Sequence, residues 1–185
     1  MRGIPGMQVF CPADEQELVE GMQVILDSPA PCYIRYNASR PAVHHVAPFE
    51  PGKAEVLSEG TDVTLLSYGF MLREVSDAAA ILKKENLSVR LLNMRTLKPV
   101  DEHAILLSAT GTRLLVPVED HFVTGGLTTI IAEVLLKHQR TANVMPIALE
   151  ERWFKPALLN DVLKYEGFTG GQIAEKVAAR LRQIQ

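Results

Sequence analysis

The chain has 185 residues, 47% hydrophobic and 22% charged, with 19 Lys and Arg against 22 Asp and Glu for a formal charge of −3. That is the composition of a globular protein, and without a basic block to neutralise a run of phosphates it argues against a nucleic-acid partner. No apolar run approaches the roughly 20 residues that cross a bilayer, and Pro5, Gly6 and Pro12 interrupt the first segment where a signal peptide needs a continuous apolar stretch, so no membrane association is expected.

Cys11 and Cys32 are the two cysteines, each inside an apolar strand-like run. They read as reduced thiols, neither a disulfide framework nor a metal site, and point to the cytoplasm. Met7 to Cys11 reads as a short strand. Pro12 and Asp14 then open a helix whose apolar residues Leu18, Met22, Ile25 and Leu26 recur at helical spacing, and PCYIRY returns as a strand. A single strand–helix–strand unit cannot cover both faces of its own sheet, so this segment reads as the tail of a larger α/β domain. From Arg40 to Asp62, three prolines and two glycines without helical period read as a linker.

Alternation is clearer beyond it. Asp62 to Gly69 fits a strand buried on both faces, followed by a helix with Leu72, Val75, Ala78, Ala79 and Leu82 on one stripe. LSVRLLNM supplies a second strand, and Asp101 caps a short helix through Leu107. Thr112 to Asp120 is the third strand, a helix follows Gly125 and Gly126, and Asn143 to Glu150 is the fourth, its Pro146 placing it at an edge. Gly167 ends one further helix, and Thr169 with Gln172 forms the capping box of the last. The fold class is α/β: a partial unit followed by a compact, mostly parallel sheet flanked by helices.

Chemistry is sparse. Glu119, Asp120 and His121 fall at the carboxyl end of a strand, before two glycines that open a helix, which is where open α/β sheets place ligands. His121 beside carboxylates has the makings of a general acid or base, but neighbours on a strand point apart, and an interface or structural role takes precedence. No nucleophile elbow, paired-histidine metal motif or Cys/His cluster occurs. His44 and His45 sit in the linker, where solvated histidines are the ordinary case. Arg35 and Arg40 end the second strand, where guanidinium groups can hold a phosphate or carboxylate in paired hydrogen bonds; an ordinary ion pair is the equal alternative. Trp153 and Phe154 are expected to bury against a partner or the C-terminal helices.

RGIPGMQVFCPADEQELVEG, PCYIRYNASRP, TDVTLLSYGFMLREVSDAAAIL, VRLLNMRTLKPVD and LLVPVEDHFVTGGLTTIIAEVL, in that order, resemble the C-terminal part of the transketolase family. The resemblance implies residues 1–46 as the end of a pyrimidine-binding domain, 47–60 as a linker and 61–185 as the family's C-terminal domain. It implies a thiamine-diphosphate-dependent transketolase moving two-carbon ketol units between sugar phosphates. Thiamine diphosphate and Mg or another divalent metal would be held by parts of the enzyme that precede this segment, so none is expected on this chain, which is expected to be inactive alone. The partners implied are an N-terminal half or subunit and a second copy, as a homodimer through the C-terminal domain. Arg40, in S-R-P, is the implied substrate-phosphate ligand and Arg35 the fallback, although Ala38 stands where the family's second Arg would fall. The resemblance extends to 1-deoxy-xylulose-5-phosphate synthase and the 2-oxoacid dehydrogenase beta subunits. A non-catalytic scaffold module is the reading from another class.

Overall fold

The computed structural model describes residues 1–38 and 43–184. In chain order the elements are β1 (Gln8–Phe10), α1 (Glu15–Leu26), β2 (Cys32–Ile34), β3 (Glu55–Ser58), β4 (Val63–Ser67), α2 (Leu72–Lys84, entered through a 3₁₀ turn Gly69–Met71), β5 (Val89–Asn93) and β6 (Thr96–Lys98). There follow α3 (Glu102–Gly111), β7 (Leu114–Phe122), α4 (Leu127–Lys137), β8 (Ile147–Leu149), α5 (Leu159–Glu166) and α6 (Gly170–Gln183). β4 is buried along its whole length, Val63, Leu65 and Leu66 being fully inaccessible, because helices cover both faces of a parallel sheet.

The main sheet has five strands in the order β3-β5-β4-β7-β8. β4, β5, β7 and β8 are parallel, and β3 joins β5 antiparallel at the edge, Glu55 opposite Asn93. β8 is the other edge, as Pro146 indicates. One face carries α2 and α6, with Leu72, Val75, Leu82, Ile173 and Val177 in the same core cluster; the other carries α3 and α4, with Ile105, Leu127, Ile131 and Val134. Asp101 caps α3, accepting from the amide of Ala104 at 2.9 Å, and α3 runs a turn past Leu107 to Gly111. The capping box of Thr169 and Gln172 opens α6, and Gly167 closes α5 in the left-handed region at φ 76°.

Two strands escape the sequence reading. The stretch read as a linker contributes β3, and Thr96–Lys98 forms β6, which pairs antiparallel with β1. The small sheet is therefore β2-β1-β6, built from strands on either side of the stretch read as a linker. Val9 and Cys11 share the core cluster of Leu66, Tyr68, Leu92 and Met94. The first segment is thus packed into the second, while β2 presents its outer edge unpaired among the described residues. Phe10, Ile25 and Phe49 form a separate small core over α1, with Phe10 and Phe49 ring centroids 4.7 Å apart.

Close contact between α2 and α6 depends on Gly170, where a Cβ would lie 2.7 Å from the Cβ of Asp77 and 2.9 Å from the carbonyl oxygen of Glu74. Gly170→Ala is expected to destabilise the chain by roughly 1–3 kcal/mol through this overpacking. The next residue, Gly171, faces open space. Gly171→Ala is its control, expected to be neutral or to stabilise by about 0.5 kcal/mol, and thermal melts of the two variants check the pair.

Candidate functional site

The strand order reverses between β4 and β7, which makes the crevice at their carboxyl ends the switch point where such sheets bind ligands. Glu119, Asp120 and His121 stand there, but their side chains do three different things. Glu119 is fully buried and turns inward onto the N-terminus of α4. It accepts hydrogen bonds from the amides of Leu127 (2.7 Å) and Thr128 (2.9 Å), the Thr128 hydroxyl (2.8 Å) and the Tyr68 hydroxyl (3.1 Å). The anion that satisfies the dipole end of α4 is the chain's own carboxylate. Gly126 is what lets it approach: a Cβ there would lie 2.0 Å from Glu119 Oε2. Burial, with Glu119 beside it, pushes the Tyr68 phenol well above its ordinary range.

Asp120 faces the first segment. Arg35 donates through Nη1 to Asp120 Oδ1 and through Nη2 to Oδ2, each at 2.7 Å, and Nη2 also reaches the Asp120 carbonyl at 3.1 Å. This two-pronged pair, with the guanidinium 5.8 Å from the Tyr68 ring centre, raises the Arg35 pKa. A cavity of about 80 Å³ lies beside it, lined by Arg35, Tyr36, Asn37, Gly69 and Phe70. His121 points away from both acids: its Nδ1 lies 2.9 Å from the carbonyl oxygen of Phe122, next in sequence, at an exposed position. The structure brings Arg35 and Asp120 together and, among the described residues, leaves His121 without a carboxylate partner. Arg40 lies outside the described residues.

Trp153 is 99% exposed and Phe154 partly so, the latter stacked on Phe122 at 6.0 Å with the Arg152 guanidinium 4.8 Å from its ring centre. The C-terminal helices therefore do not bury Trp153. Cys11 is buried, which pushes its thiol up to about 12, and Cys32 is half-buried; both are free.

A second constellation was not expected from the sequence. Asp14, Glu17, His45, Glu55, Asn93 and Arg95 are all buried and meet where α1, the strap 43–54, β3 and the β5–β6 connection converge. Arg95 Nε lies 2.7 Å from Glu17 Oε1 and its Nη2 3.0 Å from Glu55 Oε2, while Nη1 and Nη2 donate to the carbonyls of Pro48 (2.8 Å) and Ala47 (2.9 Å). His45 reaches Glu55 through Nδ1 (2.7 Å) and Asp14 through Nε2 (3.1 Å). His44, next to it, is solvent-exposed. The Ala13 amide donates to Glu17 Oε2 at 2.6 Å, the Asn93 amide group to Glu17 Oε1 at 3.0 Å, and the Val46 amide to Glu55 Oε1 at 3.1 Å.

Opposing forces set the protonation of this centre. The hydrogen bond to Glu55 outweighs burial and takes His45 up to about 9. Burial alone would raise Glu55, yet His45 and Arg95 bring it down to about 2. Burial dominates at Glu17 and raises it. Glu17, His45 and Glu55 are also the one set among the described residues whose donor atoms converge closely enough for a metal. The Arg95 guanidinium already sits against both carboxylates, so a divalent ion would meet a cation there. These residues do not fit the metal of a diphosphate cofactor.

Comparison with known proteins identifies the scaffold. A 1-deoxy-D-xylulose-5-phosphate synthase of Dictyoglomus thermophilum is 31% identical over all of this chain, which spans 31% of that enzyme. The subunit SqwH of a 6-deoxy-6-sulfo-D-fructose transketolase from Clostridium sp. is 42% identical over 73% of the chain, which spans 42% of that protein. Among solved structures, a split-gene transketolase described as an inactive beta4 tetramer superposes with a TM-score of 0.90 at 31% identity, covering all of this chain and 61% of that one. The chain thus spans between about a third and three fifths of these relatives. The family model for the transketolase C-terminal domain matches residues 52–173, and the chain belongs to that family.

Proposed function

We propose that this chain is the C-terminal part of a thiamine-diphosphate-dependent transketolase that moves two-carbon ketol units between sugar phosphates, and that it is inactive alone. The observation that carries the reading is the half-finished sheet β2-β1-β6: a strand–helix–strand unit welded to a family C-terminal domain, with the β2 edge left for further strands. The residues that would complete that sheet would also carry the cofactor site, supplied by the preceding part of the enzyme, as the same chain or a separate subunit. When bound there, thiamine diphosphate with its divalent metal supplies the carbanion chemistry of ketol transfer.

This chain's contribution is positional. Arg35 and Arg40, at the end of the first segment in sequence, are the candidates for the substrate phosphate. Arg35 makes three hydrogen bonds to Asp120, and Arg40, in S-R-P, is the first candidate by the family resemblance. The exposed Val123 and Trp153 support an assembly contact on this domain, read as the surface of a homodimer. The two unpaired thiols fit a reducing, cytoplasmic setting.

The similarity to a deoxyxylulose-phosphate synthase favours a second reading, in which the assembled enzyme decarboxylates a 2-oxoacid donor. Assaying the assembled enzyme with thiamine diphosphate, Mg, a ketose phosphate or pyruvate, and an aldose phosphate separates the two. Ketol transfer without release of carbon dioxide is the expected result, and decarboxylation without ketol transfer would replace it by the synthase reading. Failure of both reactions would leave the scaffold role.

A further inference from the structure

His45 occupies an unusual place for a residue of a connecting strap. Its side chain is 1% exposed, and the charged groups that face it come from every element around it: Asp14 and Glu17 from α1, Glu55 from β3, and Arg95 from the β5–β6 connection. Beyond it, Glu20 and His45 both line a groove of about 400 Å³ between α1 and the strap. Only a ring protonated on both nitrogens can donate to Glu55 and Asp14 together. A neutral ring keeps one of those bonds and turns a lone pair toward the other carboxylate. Three carboxylates then face a single guanidinium.

We propose that His45 is a proton-operated latch: its doubly protonated ring holds the strap 43–54 across α1 and β3, and loss of the proton releases the strap. Release has a defined consequence, because the strap carries Phe49, which closes the small core of Phe10 and Ile25 over α1. It also carries the carbonyls of Ala47 and Pro48 on which Arg95 rests. The latch therefore couples proton concentration to the joint between the first segment and the main sheet. The sign is fixed by the direction of the shift. His45 is held up to about 9, so its stabilisation is complete below its unfolded value near 6.5 and disappears as pH rises through about 9. Glu17, raised by burial, acts in the same direction, whereas Glu55, at about 2, responds only in acid.

Nuclear magnetic resonance of the chain labelled in its histidine rings reads the titration directly. The ring assigned to His45 is expected to titrate at least a unit above an ordinary histidine, and a midpoint near 6.5 would overturn the proposal. Hydrogen exchange, corrected for base catalysis, is expected to show peptides across 43–54 losing protection at least tenfold between pH 8 and 10 while β4 keeps its own. In His45→Gln the strap should already exchange fast at pH 7 and show no step. Equal protection at both pH values in the wild type, or the same step in the variant, would overturn the latch. Should His45→Gln fail to fold, Glu55→Gln is expected to move the wild-type step to lower pH, and an unmoved step counts against it.

Discussion

Arg95→Leu is expected to lower the unfolding free energy by about 3–5 kcal/mol, the characteristic loss when one partner of a buried ion pair is removed. The side chain is 2% exposed and faces two fully buried carboxylates, Glu17 and Glu55, which the variant leaves with His45 as the positive group among the described residues at the centre. The carbonyls of Ala47 and Pro48 lose their donor as well. For a chain of this size the loss corresponds to a fall in Tm of roughly 10–15 °C. Denaturant unfolding followed by circular dichroism measures it. Combining Arg95→Leu with Glu17→Gln should recover part of the loss, because the second change removes an uncompensated charge. Additive losses in the double variant would show that the network is not electrostatically coupled.

Glu119→Ala is expected to cost about 2–4 kcal/mol, because it strips the buried first-turn amide of Leu127 and the Tyr68 hydroxyl of their acceptor and leaves a void on the α4 N-terminus. The variant also frees an anion site that the wild type fills from within. Formate at millimolar concentration should therefore raise the Tm of Glu119→Ala and leave the wild type unchanged. Glu119→Gln, which keeps one acceptor oxygen, should fall between the two. If formate stabilises both proteins equally, the carboxylate is not what satisfies the helix.

The main sheet was legible because its signals are local: continuous apolar strands, helices with one apolar stripe, and caps at Asp101 and Thr169. The missing pieces were non-local. β6 is three residues long and takes its partner β1 from the far side of the linker, with nothing in Thr96–Lys98 to announce the pairing. β3 hides among Pro48, Pro51, Gly52 and Gly60, where composition reads as loop. The same reasoning covers the charges. Asp14 was recognisable as a cap from its place before α1, but Glu17 and Arg95 carry no local mark of burial. His45 reads as a solvated linker histidine until the fold sets it between Asp14 and Glu55. The glycine pair after Glu119 invites a ligand-binding reading; only the position of the carboxylate shows that Gly126 makes room for the chain itself. Arg35 and Asp120, both singled out from sequence, meet across the two segments, a pairing that adjacency in sequence gave no means to foresee.

On the proposed reading, the cofactor site is completed only when the β2 edge is continued by the preceding part of the enzyme. Titration calorimetry with thiamine diphosphate and Mg tests it, run on this chain alone and again after its complementing half has been added. No binding heat is expected from the chain by itself, and saturable binding, together with ketol transfer, from the assembly. Tight binding of thiamine diphosphate by the isolated chain, or an assembly that binds none, would contradict it.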